Sequence, residues 1–94
     1  MATDLFDYES LQLSANFAIK HYKDSIFRGE VNDRMRHGLG ACKYQNGRVY
    51  EGSWFNDKRH GTGFERFSNG NTYLGEYTKG HVDGKGLYKW MTGD

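Results

Sequence analysis

The sequence has no proline, a single cysteine, only 11 Leu, Ile and Val among 94 residues, and a formal net charge of +1. Each shortage closes off a class of protein. Cys42 stands alone, so an internal disulfide framework is impossible and a reducing, cytoplasmic compartment is expected. No apolar run approaches the ~18 residues of a membrane-spanning helix. The start, Met1 to Ser10, is acidic and offers neither the basic nor the apolar segment of a secretory signal. Residues 1–25 carry two Lys and four acids, and residues 26–94 carry eleven bases and eight acids. So mild a polarity is far from the basic stripe of a nucleic-acid binder, and no nucleic acid is expected as a partner.

What is present is planar and bare: 7 Tyr, 6 Phe and 2 Trp stand beside 13 Gly. That pairing suits a sheet whose rings rest on unsubstituted backbone, and the low net charge argues against disorder. The rings and glycines recur at a step of 23 residues: Phe27, Tyr50 and Tyr73; Gly29, Gly52 and Gly75; Val31, Trp54 and Tyr77. Gly38, Gly61 and Gly84 keep the step, as do Gly40, Gly63 and Gly86, then Tyr44, Phe67 and Trp90, and finally Gly47, Gly70 and Gly93. Such self-similarity marks a repeat architecture. Residues 26–94 divide into units 26–48, 49–71 and 72–94.

No stretch offers helical i, i+3, i+4 spacing, whereas Tyr50-Glu51-Gly52-Ser53-Trp54 alternates with period two. Each unit is therefore expected to be a β-hairpin and the chain all-β. Strands fall near 26–32, 39–45, 48–55, 62–68, 71–78 and 86–91. Asn46-Gly47 and Asn69-Gly70 have the chemistry of hairpin turns, and segments 33–38, 56–61 and 79–84 reverse the chain at the opposite edge.

The segments Tyr50-Glu51-Gly52-Ser53-Trp54 and His60-Gly61-Thr62-Gly63-Phe64, at a 23-residue step over about three quarters of the chain, resemble the MORN repeat (membrane occupation and recognition nexus). The resemblance implies an elongated, single-layer antiparallel meander with one aromatic-rich groove. It also implies a non-catalytic scaffold in a cytoskeletal, ciliary or axonemal, or membrane-apposed assembly, or the N-terminal targeting module of a larger enzyme. Val31 departs from the usual aromatic, and Asp83 from the His that His37 and His60 supply.

Residues 1–25 are expected to cap the sheet as a degenerate half repeat. Leu11, Leu13, Ala15, Phe17 and Ile19 alternate as a strand would, although Leu11, Ala15, Ala18 and Tyr22 also align on one helical face. A strand over 16–22 would cover the N-terminal sheet edge. The chain stops at Asp94 just before another Tyr-x-Gly would begin, so a longer array, or another chain completing the sheet, is expected.

Function hangs on faces. With three-residue Asn-Gly loops, Phe27, Val31, Tyr44, Tyr50, Trp54, Phe67, Tyr73, Tyr77 and Trp90 share one face with the strand glycines. Arg28, Glu30, Lys43, Glu51, Ser53, Arg66, Glu76 and Lys89 take the other. The rings, Val31 aside, form the expected partner-binding set, and a helix or extended segment in the groove, or a further sheet edge, is the expected partner. Arg34, Arg36, Lys58, Arg59 and Lys79 in the far turns form an alternative surface for acidic phospholipids. His37, His60 and His81 lack companions at zinc-ligand spacing, Gly38-Leu39-Gly40 is followed by no Gly-Lys-Ser/Thr, and Cys42 has no repeat-matched base. No catalytic site, metal or cofactor is expected, and the histidines are expected to order their turns.

Overall fold

The computed structural model describes residues 7–91. A short helix α1 (Tyr8–Leu11) leads into β1 (Phe17–His21), β2 (Ser25–Asn32), β3 (Met35–Tyr44), β4 (Val49–Phe55), β5 (Lys58–Arg66), β6 (Thr72–Thr78) and β7 (His81–Lys89). The strands form one antiparallel sheet in the order β1-β2-β3-β4-β5-β6-β7, each neighbour in sequence being a neighbour in space. This is an open single-layer meander, with principal-axis extents of 42 × 25 × 24 Å. Gly93 and Asp94, which end the third 23-residue unit, lie outside the described residues, as does most of the acidic start.

From β2 to β7 two kinds of hairpin alternate along the sheet. At one side the Tyr44 N–H donates to Arg48 O (2.8 Å) and the Gly47 N–H to Tyr44 O (3.0 Å), closing a three-residue loop with Gly47 at φ 95°. Phe67, Gly70 and Asn71 repeat that loop. A glycine in the left-handed region is what this loop demands. Strand parity is thereby preserved, and Gly40 faces Gly52 while Cys42 faces Tyr50.

At the other side the turns are tighter than the expected six-residue segments. Asp33-Arg34, Asn56-Asp57 and Lys79-Gly80 all have positive φ at both positions, the signature of two-residue type I′ turns. β3, β5 and β7 therefore start at 35, 58 and 81, four or five residues before the strands expected at 39, 62 and 86. Gly38, Gly61 and Gly84 do not end the strands. They sit within them at positive φ, and the facing strands β2, β4 and β6 shift register nearby. Such bulges increase local twist.

The glycines on the ring face make room for the neighbouring rings. Phe27 lies on Gly40, Tyr50 on Gly63 and Tyr73 on Gly86, each ring occupying the place where a Cβ would project. The rings then meet edge to face: Phe27–Trp54 at 5.2 Å, Tyr50–Trp54 at 5.2 Å, Tyr50–Tyr77 at 5.1 Å and Tyr73–Tyr77 at 5.6 Å between centroids. Edge-to-face contact is the favourable geometry for the aromatic quadrupole. A one-layer sheet thus builds its core from its own rings.

The N-terminal segment is a cap in which only part of the alternating stretch is strand. β1 pairs along β2, with Ile19 opposite Arg28. Leu11 and Leu13 do not extend β1, as their alternation suggested. The Asp7 side chain accepts from the Glu9 N–H (3.1 Å) and caps α1, and successive turns through Leu13 and Ser14 bring the chain to Phe17. Leu11 is consequently buried and Leu13 fully outside. At the other end β7 pairs only with β6 among the described residues, and its side chains are exposed throughout.

Candidate partner-binding groove

Of the eight rings expected to bind a partner, five form the buried core: Phe27, Tyr50, Trp54, Tyr73 and Tyr77. They are the floor of the ring face. Tyr44 and Phe67 are half-buried against this core, while Trp90 is 60% exposed and lies 4.9 Å from Tyr88. The polar atoms of Trp54 and Tyr50 on the floor are tied to backbone. The Trp54 Nε1–H donates to Gly40 O (3.1 Å) and the Tyr50 hydroxyl to Ser53 O (2.8 Å). Burial pushes the Tyr44 hydroxyl up to about 12, reinforced by the neighbouring Cys42. Burial also raises Tyr50 and Tyr77, the latter further because its hydroxyl donates to Glu65 (2.7 Å).

The five basic residues assigned to the far turns divide. Arg34, Lys58 and Lys79 are exposed at or beside the turns. Arg36 and Arg59 instead fold inward across the rings. The Arg36 guanidinium lies 4.5 Å from the Trp54 ring and 4.6 Å from that of Tyr22, and the Arg59 guanidinium lies 5.3 Å from Tyr77 and 5.7 Å from Tyr50. Cation–π contact and ion pairing together hold them there. The physical reason is parity: once β3 and β5 begin at 35 and 58, positions 36 and 59 share the ring face with Gly40 and Gly63.

Each inward side chain also fastens the next unit's turn. Arg36 donates from Nε to Asp57 Oδ1 (2.7 Å) and from Nη2 to Asp57 O (3.0 Å). Arg59 donates from Nη2 to Gly80 O (2.7 Å), and Lys20 reaches the Arg34 carbonyl in the same way. The histidines act in parallel, since His37 Nδ1 accepts the Asn56 N–H and His60 Nδ1 the Lys79 N–H, both at 3.3 Å. They order the following turn and not their own. Repeats are thereby coupled to their nearest neighbours, the energetic pattern of solenoid-like arrays.

Burial alone would raise the Asp57 carboxyl, but hydrogen bonds and charge from Arg36 outweigh it and hold it below its ordinary value. Burial likewise works against the Arg36 charge, and the Asp57 bond overcomes it. A carboxylate lowered in the folded state adds stability above its unfolded pKa and loses it as pH falls through the folded one. Acidification below about pH 4 should therefore lower the urea midpoint. Asp57→Asn should start from a lower midpoint at pH 7 and lose less of it over that interval; equal acid losses would contradict the pairing.

One important residue escaped the sequence reading. Glu65 is 1% exposed within the ring face, where it receives hydrogen bonds from the Tyr77 hydroxyl, Arg48 Nε (2.8 Å) and Arg59 Nη1 (3.2 Å). Its repeat partners are Cys42, also buried, and Tyr88. The available signal was the alternation Gly63-x-Glu65-x-Phe67, which puts the carboxylate among the rings. Among the described residues no cluster of His, Cys, Asp and Glu has metal-holding geometry.

Members of both candidate sets meet in one open groove on the ring face, of about 520 Å³, whose lining includes Tyr22, Arg36, Tyr44, Trp54, Lys58 and Arg59. Of the eight predicted rings only Tyr44 and Trp54 line it; Phe27, Tyr50, Phe67, Tyr73, Tyr77 and Trp90 do not, nor do Arg34 and Lys79. An open sheet of like hairpins, each unit fastened to the next, is the architecture of a repeat array. The model of the MORN repeat family matches residues 27–47, 50–72 and 73–94, and the chain belongs to that family. A search of curated proteins gave no match.

Proposed function

We propose that this chain is a non-catalytic docking module that holds a segment of a partner protein in the groove of its ring face. MORN repeats are in general protein- and membrane-interaction modules. The observation that supports a protein partner is the groove itself: open, lined largely by apolar surface, and rimmed by exposed Lys58 and half-buried Tyr44. Apolar anchors ringed by polar groups are the anatomy of a protein interface. Acidic phospholipid is the weaker reading, because Arg36 and Arg59 are turned away from the ridge that a flat leaflet would touch. A cytoskeletal, ciliary or membrane-apposed setting is supported by the family resemblance alone.

Trp54→Ala and Tyr77→Ala would empty the core and confuse docking with folding. The informative variant is Tyr44→Ser with Lys58→Ser, at the groove's wall and rim. Capture of the native partner should fall at least about tenfold, equivalent to about 1.4 kcal/mol, while the cooperative melt is retained. Undiminished capture by a folded variant would contradict docking in this groove.

A further inference from the structure

The groove contains more hydrogen-bond donors than the described residues can use. Arg36 commits Nε to Asp57 Oδ1 and one Nη2 hydrogen to the Asp57 carbonyl. Arg59 commits one Nη1 hydrogen to Glu65 and one Nη2 hydrogen to the Gly80 carbonyl. The other N–H groups of both guanidinium forks have no acceptor among the described residues. Each fork lies on aromatic faces and is held by a carboxylate, so it is already ordered before any ligand arrives. Pre-ordered forks lose little freedom on binding, and a carboxylate is the acceptor their geometry fits.

Charge points the same way. Lys23, Arg36, Lys58 and Arg59 line the groove against Asp24 and Asp57, and Asp57 is already engaged by Arg36. The lining therefore carries a positive surplus, with both arginine side chains recessed at 16% and 21% exposure. A membrane surface is too flat to reach them, whereas a side chain projecting from a peptide can.

The geometry points to an acidic peptide segment as the occupant: Glu or Asp side chains seat on the free edges of Arg36 and Arg59, and neighbouring apolar side chains rest on the half-buried Tyr22 and Tyr44. This rests on the docking function proposed above and specifies the chemistry of the partner. Lys23 and Lys58, exposed at the rim, draw the acidic segment in and set the salt dependence of its association.

The test uses the isotope-labelled full chain and three synthetic peptides of equal length, alternating Glu-Tyr, Ser-Tyr and Lys-Tyr. The Glu-Tyr peptide should shift the Arg36 and Arg59 Nε–H and Trp54 Nε1–H resonances, with affinity that falls as salt rises. Lys58→Glu, at an exposed side chain, should weaken that binding by about tenfold and leave the melting temperature unchanged. Equal or tighter binding of the Ser-Tyr or Lys-Tyr peptide at the same resonances overturns the acidic preference and leaves the docking groove standing. No shift at those resonances with any of the three overturns both. Shifts produced by phosphatidylserine vesicles and not by the Glu-Tyr peptide overturn the inference in favour of a lipid surface.

Discussion

Tyr50→Ala is expected to cost about 3–5 kcal/mol of folding stability, the usual loss for emptying an aromatic core position. Tyr50 is fully buried, meets Trp54 and Tyr77 edge to face, and covers Gly63. Gly63→Ala attacks the same contact from the opposite side, because the new Cβ would fall inside the space of the Tyr50 ring. That strand position is not at positive φ, so the penalty is steric, on the order of 2–3 kcal/mol. The two losses should not add. Once the ring is gone the Cβ has room, and Gly63→Ala in the Tyr50→Ala background should cost less than about 1 kcal/mol. Equilibrium urea unfolding of the four proteins measures the coupling, and simple additivity would show that ring and glycine do not function as a pair.

Glu65→Ala should be nearly as damaging, at about 3 kcal/mol, the lower end for breaking a buried ion pair because Arg48 and Arg59 retain some solvent contact. The change strips acceptors from two guanidiniums and the Tyr77 hydroxyl at once. Tyr77→Phe alone should cost about 1.5–3 kcal/mol, the net value of a hydrogen bond to a charged acceptor. In the Glu65→Ala background it should be close to neutral, since the hydroxyl then has no acceptor to lose. A full, additive penalty in that background would mean that the Tyr77 hydroxyl is not bound to Glu65. The carboxylate also links β4–β5 and β6 across the ring face, so its loss should broaden the transition by uncoupling neighbouring repeats.

Much of this architecture is legible in the residues because side-chain direction in a strand has period two. The 23-residue step and the Asn-Gly loops place Phe27, Tyr50 and Tyr73 on one face with Gly40, Gly63 and Gly86, and the structure keeps them there. The inward course of Arg36 and Arg59 was not legible for a single reason. Gly38, Gly61 and Gly84 read as the ends of six-residue turns, whereas non-glycine pairs such as Asp33-Arg34 and Asn56-Asp57 make the reversal in two. Asp and Asn tolerate left-handed backbone through local hydrogen bonding, but Arg34 carries a Cβ penalty that the surrounding hairpin must override. With the turn set at two residues, alternation alone moves positions 36 and 59 from the rim to the ring face. Glu65 was hidden differently, since a carboxylate among rings is intelligible only once Arg48, Arg59 and Tyr77 are known to converge on it. The α1 turn escaped because the alternation from Leu11 to Ile19 masked the Asp7 cap.

Placement of the partner on the ring face is most directly tested by cross-linking the native complex with a lysine-reactive reagent and identifying the joined peptides by mass spectrometry. Lys23 and Lys58 border the groove, whereas Lys43, Lys85 and Lys89 do not line it and stand exposed elsewhere on the sheet. Docking in the groove should concentrate partner cross-links on Lys23 and Lys58. Partner cross-links confined to Lys43, Lys85 and Lys89 would contradict it.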